Sequence, residues 1–134
     1  MSTVLLVHGG LWDGVDAEFF WHRPGVTSAL GDRGFAVLAP DRLARAAGWD
    51  SEAEHLARQL DEPATVVAGS NGCSAAARLA VGRPDLVERL VLAWPTTAND
   101  PEVDAYTREG LAGLGASPGV ADAPAERGDP ARDQ

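Results

Sequence analysis

Lysine is absent: every basic side chain in the 134 residues is an arginine. There is one cysteine, Cys73, so no intrachain disulfide can form and a cysteine-rich zinc site is excluded. No apolar run approaches the roughly 20 residues needed to span a membrane. Met1-Ser2-Thr3 passes directly into Val4-Leu5-Leu6-Val7 with no basic segment and too short an apolar one for a signal peptide, so a cytoplasmic location is expected. The formal net charge is −9. Nucleic acid and anionic membranes demand clustered cations, so neither is expected as a partner. Histidine is also sparse: it occurs at positions 8, 22 and 55 and nowhere later. Three scattered histidines without ligand spacing argue against a metal site, and no cofactor is expected. The length suits one domain.

What is present is a regular alternation. Thr3–Val7 is a short apolar run stopped by His8-Gly9-Gly10, which reads as a buried strand. Residues 11–22 read as irregular. Pro24 and Gly34 frame a helix over about 24–33, and 35–39 is a second strand stopped by Pro40. Ser51 and Glu54 form a capping-box pair for a second helix, which carries Leu56 and Leu60 on one face and ends at Glu62-Pro63. Residues 64–68 and 89–93 are further strands, with a helix of mostly small residues over 73–81 between them. Asp100-Pro101 opens a fourth helix, expected over 101–113. From 115 the periodicity vanishes. A domain over 1–114 and a disordered acidic Gly/Ala/Pro-rich tail over 115–134 are expected. Residues 100–134 carry eight acidic and three basic side chains, net −5. Four apolar strands alternating with helices make the fold class α/β: a four-stranded, mostly parallel sheet with helices on both faces.

Ala68-Gly69-Ser70-Asn71-Gly72 falls between a strand and a helix and is similar to the G-x-S-x-G nucleophile elbow, with Ala for the first Gly. His8-Gly9-Gly10 follows the first strand. Residues 35–41 end in Pro40-Asp41, and residues 78–95 pass from a helix through Pro84-Asp85 to the next strand. Over about residues 3–96 these segments, in this order, resemble the front half of the α/β-hydrolase family. The resemblance implies Ser70 as a nucleophile towards acyl esters. It implies the Asn71 N–H as one oxyanion donor and Gly10, or Leu11 beside it, as the second. His8 and Gly9, with Trp12 and Trp21, would border the substrate. The aromatic set Trp12, Phe19, Phe20 and Trp21 either lines an acyl pocket or covers the core. His8 is read as bracing its loop, and Cys73 as a small buried helix residue.

The family order is Ser, then acid, then His. Asp100 can serve as the acid, or simply cap the helix that Pro101 begins. No histidine follows Ser70. Removing the base from a triad costs roughly 10⁶-fold in turnover, so impaired hydrolysis is expected unless His22, the best substitute, reaches the serine. The chain reads as shortened relative to the family. Two readings stand: an esterase-like serine hydrolase by descent, or a non-catalytic module for a small carbonyl-bearing ligand. A nucleotide-binding domain is disfavoured, because Gly9, Gly10 and Gly14 do not make G-x-G-x-x-G and no P-loop occurs. The family's strand order, 35–39, 3–7, 64–68, 89–93, leaves 89–93 as an apolar edge, so self-association or marginal stability is expected.

Overall fold

The computed structural model describes residues 2–10, 15–43 and 46–95, together with Glu102, Ala105, Tyr106, Glu109, Ala112 and Gly113. Those last six are helical, within the helix expected over 101–113. The tail from 115 lies outside the described residues.

Four strands, β1 (Thr3–Val7), β2 (Ala36–Leu38), β3 (Ala64–Gly69) and β4 (Val87–Ala93), form a sheet in the order β2-β1-β3-β4. Every pairing is parallel. This is the expected order. All five residues of β1 are buried, which is why the run is continuously apolar rather than alternating. Successive side chains still point to opposite faces. Leu5 and Val7 join Val66 and Ala68 of β3 beneath α2 (Trp49–Ala57) and α3 (Gly72–Gly82). Val4 and Leu6 join Ala17 and Trp21 on the other face, with Val26 and Leu30 of α1 (Val26–Asp32) packed against them. Fully burying a leucine such as Leu5 or Leu6 contributes on the order of 1.5–3 kcal/mol.

Several boundaries differ from the sequence reading; α2 ends at Ala57, ahead of Glu62-Pro63, and β4 starts at Val87, two residues early. Residues 18–22 are not irregular: Glu18–His22 forms a π-helical turn. Helix α1 starts after Gly25, not at Pro24, because Gly25 takes φ 86° and turns the chain before the helix begins. Helix α2 starts at Trp49, two residues ahead of the Ser51–Glu54 pair, and Gly48 caps it without a side-chain bond. Burial of the Trp49 ring, 3% exposed, outweighs the capping preference. Strand β4 lies at the sheet edge, where Val91 and Leu92 are 43% and 41% exposed.

Candidate functional site

The chain leaves β1 for β2 on one side of the sheet and crosses to β3 on the other. The carboxyl ends of β1 and β3 therefore flank a topological switch point, where ligands of open α/β sheets bind. The β3 end carries Ser70. Its backbone N–H donates to Ala93 O at 2.9 Å, and its φ of 53° lies in the left-handed region. A non-glycine residue there costs roughly 1–2 kcal/mol. Ser70 O then accepts from Cys73 N–H at 3.1 Å, opening the first turn of α3. The backbone N–H groups of Asn71 and Gly10 meet no acceptor among the described residues.

The loop after β1 lies against this turn because glycines let it. A Cβ on Gly9 would stand 2.8 Å from Ser70 Cβ and 2.9 Å from Gly69 O. A Cβ on Gly72 would stand 2.4 Å from His8 O and 2.8 Å from Val7 O. Gly69 is closed in from above by the Phe20 ring, 2.7 Å from where its Cβ would be.

Behind the loop lies a buried polar cluster. His8 is 3% exposed. Its Nδ1 is 2.8 Å from Gly9 O, and its Nε2 accepts the Arg42 backbone N–H at 3.0 Å. Nε2 must be an acceptor, so the proton sits on Nδ1 and donates to Gly9 O. Burial, more than the nearby Arg42 charge, pushes the His8 pKa down and keeps the ring neutral, against the pull of Gly9 O, Asp41 and Glu52. The stability this neutral ring contributes is complete above the unfolded value, about 6.5. It is lost as pH falls through the lower folded value. The melting temperature is therefore expected to drop as pH falls below about 6.5, and His8→Gln should lack that component of the drop. Parallel pH profiles for the two proteins would contradict it.

Arg42 holds the cluster together. Its Nε and Nη2 fork onto the Glu52 carboxylate at 2.7 and 2.9 Å. Its Nη1 donates to Gly10 O and Asn71 Oδ1, both at 2.8 Å, and reaches His8 O at 3.2 Å. The Arg42 and Glu52 side chains are 6% and 2% exposed. The guanidinium also lies 5.6 Å above the Trp49 ring.

The structure thus brings together Ser70, Asn71, Gly9, Gly10 and His8. It does not bring His22 to them. The His22 ring is exposed, its Nδ1 lies 2.7 Å from Thr27 Oγ1, and no hydrogen bond joins it to Ser70. No described side chain hydrogen-bonds Ser70 Oγ. Trp21 covers the core beside Val4 and Leu6 instead of lining a pocket, because the π-helical turn points it at the sheet. His8 has both ring nitrogens engaged inside the protein, where it braces the loop. Asp100, Leu11 and Trp12 lie outside the described residues.

Arg42 and Glu52 were not foreseen from the sequence. A signal was there: Glu52 falls on the stripe Trp49, Ala53, Leu56, Leu60, and an acid on an apolar stripe needs a buried partner.

The fold is that of the α/β-hydrolases. Three solved structures illustrate the likeness. Polyneuridine aldehyde esterase is 20% identical with a TM-score of 0.59, over 76% of this chain and 43% of that one. An extracellular α/β-hydrolase from a Paenibacillus species is 17% identical at 0.59, over 84% and 53%. A probable hydrolytic enzyme from Pseudomonas aeruginosa PAO1 is 25% identical at 0.60, over 84% and 43%. The chain spans about half the length of these proteins or less. No family model matches the sequence, and no curated protein matches it. Among the described residues, no helix is long and apolar enough to cross a membrane.

Proposed function

We propose that this chain carries an esterase-like serine-hydrolase site with Ser70 as nucleophile and the Asn71 and Gly10 amides as oxyanion donors, impaired in turnover. The observation that carries it is Ser70 in a left-handed turn at the head of α3, with those two N–H groups meeting no acceptor among the described residues. A small acyl ester would place its carbonyl oxygen between the amides and its carbon at Ser70 Oγ. The helix N-terminus favours the negative charge that develops there. No described side chain acts as a base on Ser70 Oγ, and the oxyanion hole and binding by themselves supply only about 10³–10⁴ over water.

A serine-reactive fluorophosphonate tests this. Ser70 Oγ attacks phosphorus, fluoride leaves, and the serine proton passes to solvent. Slow labelling of the folded protein that disappears in Ser70→Ala is expected, with little turnover of an activated ester. Equal labelling of Ser70→Ala would sink the proposal. A second reading is favoured by Ser70 Oγ meeting no side-chain partner among the described residues: a module that binds a small carbonyl-bearing ligand without cleaving it. Ligand-induced thermal stabilisation that survives Ser70→Ala, with no labelling of the wild type, would select it.

The exposed β4 edge is the proposed surface for self-association. Light scattering is expected to give a mass that rises with protein concentration, and less so in Leu92→Lys. A constant monomer mass would remove this proposal.

A further inference from the structure

Arg42 touches three separate parts of the chain at once: the loop after β1, the turn before α3, and helix α2. Resting on the reading of Ser70 above, we propose that Arg42 is a positioning residue that sets the spacing of the two oxyanion donors. The N–H groups of Gly10 and Asn71 meet no acceptor among the described residues, and each residue is held by an acceptor of its own, Gly10 O and Asn71 Oδ1. Both acceptors bond the same atom, Arg42 Nη1, at 2.8 Å. That nitrogen has two protons, so these two bonds use them, and His8 O at 3.2 Å shares one. The distance between the two donor residues is therefore tied to one planar group. Glu52 fixes the plane: its carboxylate takes Nε and Nη2 and leaves Nη1 only one direction in which to point. The Arg42 backbone N–H adds a further tie, to His8 Nε2. Lysine, a single ammonium on a flexible stem, cannot fork onto Glu52 and hold both acceptors together.

The test must separate positioning from folding. Arg42→Met alone strands the Glu52 carboxylate, so the informative variant is the double Arg42→Met/Glu52→Leu, which removes the pair as a unit. Leu56→Ala, at a fully buried position on the same helix, serves as a destabilised control with the clamp intact. Fluorophosphonate labelling is measured against probe concentration, with melting of each protein. The expected result is a limiting labelling rate about 10²-fold lower in the double variant, at little changed probe affinity, as misplacement near 1 Å produces. Leu56→Ala should keep the wild-type rate while melting lower. Arg42→Lys should resemble the double variant. A double variant that labels at the wild-type limiting rate overturns the proposal, as does a Leu56→Ala rate that falls with its stability.

If the wild type shows no Ser70-dependent labelling, it is the reading of Ser70 that fails. The positioning claim is then decided by amide resonances in the same proteins. Joint shifts of the Gly10 and Asn71 N–H signals in Arg42→Lys, with β1 and β3 core signals unmoved, uphold it. Unmoved Gly10 and Asn71 signals overturn it.

Discussion

Replacing Glu52 by glutamine is expected to destabilise the protein by about 3–5 kcal/mol, the cost of leaving a buried partner charge uncompensated. Arg42 would keep its positive charge in a pocket where the side chains are 6% and 2% exposed. One of its two donors to Glu52 would then face an amide NH₂ instead of an oxygen. At this chain length the loss corresponds to a fall in melting temperature on the order of 10–20 °C. The comparison that gives the number meaning is Glu54→Gln, two residues along the same helix. Glu54 pairs with Arg58 at 3.9 Å, but both side chains are about three-quarters exposed. Its loss should cost no more than about 0.5 kcal/mol. Thermal or urea melts of the two variants decide the matter. If they fall together, the buried pair is not what holds α2 to the loop after β1.

The second large effect is expected at Gly72. An alanine there places its Cβ 2.4 Å from His8 O and 2.8 Å from Val7 O. Both are backbone atoms at the end of the central strand, so relief requires moving β1 or tilting α3. A cost of about 3 kcal/mol is expected, at the upper end for overpacking. It exceeds the gain of about 1 kcal/mol that alanine brings to a helix interior. At the far end of the same helix, Gly82 meets nothing within 4 Å of its Cβ position. Gly82→Ala should be neutral or stabilising by up to about 1 kcal/mol. Urea denaturation of both variants is the measurement. A Gly72→Ala protein as stable as Gly82→Ala would mean the loop and turn are not in the contact described.

Much of this protein is written in its sequence at short range. The run Thr3–Val7 with glycines after it, the small-residue helix after Gly72, and Ser70 between strand and helix were all legible. Each depends on neighbours within a few residues: apolar period, turn chemistry, and the absence of side chains where backbones approach. The strand alternation implied a parallel sheet, but the order β2-β1-β3-β4 was expected only from the family resemblance. The resemblance carried the expectation of an oxyanion loop; what the structure shows is that Arg42 Nη1 bonds both Gly10 O and Asn71 Oδ1.

Tertiary packing alone decided the rest. Ser51 and Glu54 look like a helix start, yet Trp49 begins the helix because its ring has a core to enter. Trp21 and His22 are adjacent in sequence, but the π-helical turn sends one into the core and the other into solvent beside Thr27. Arg42 sits in what reads as a loop. Its partners lie 10, 29, 32 and 34 residues away. No local pattern could pair it with them, because a buried charge selects its partners from whatever the fold brings within reach. Composition, period and spacing thus determined which segments become strands and where the serine stands. Which polar groups meet behind it was determined only when β1, α2 and α3 packed together.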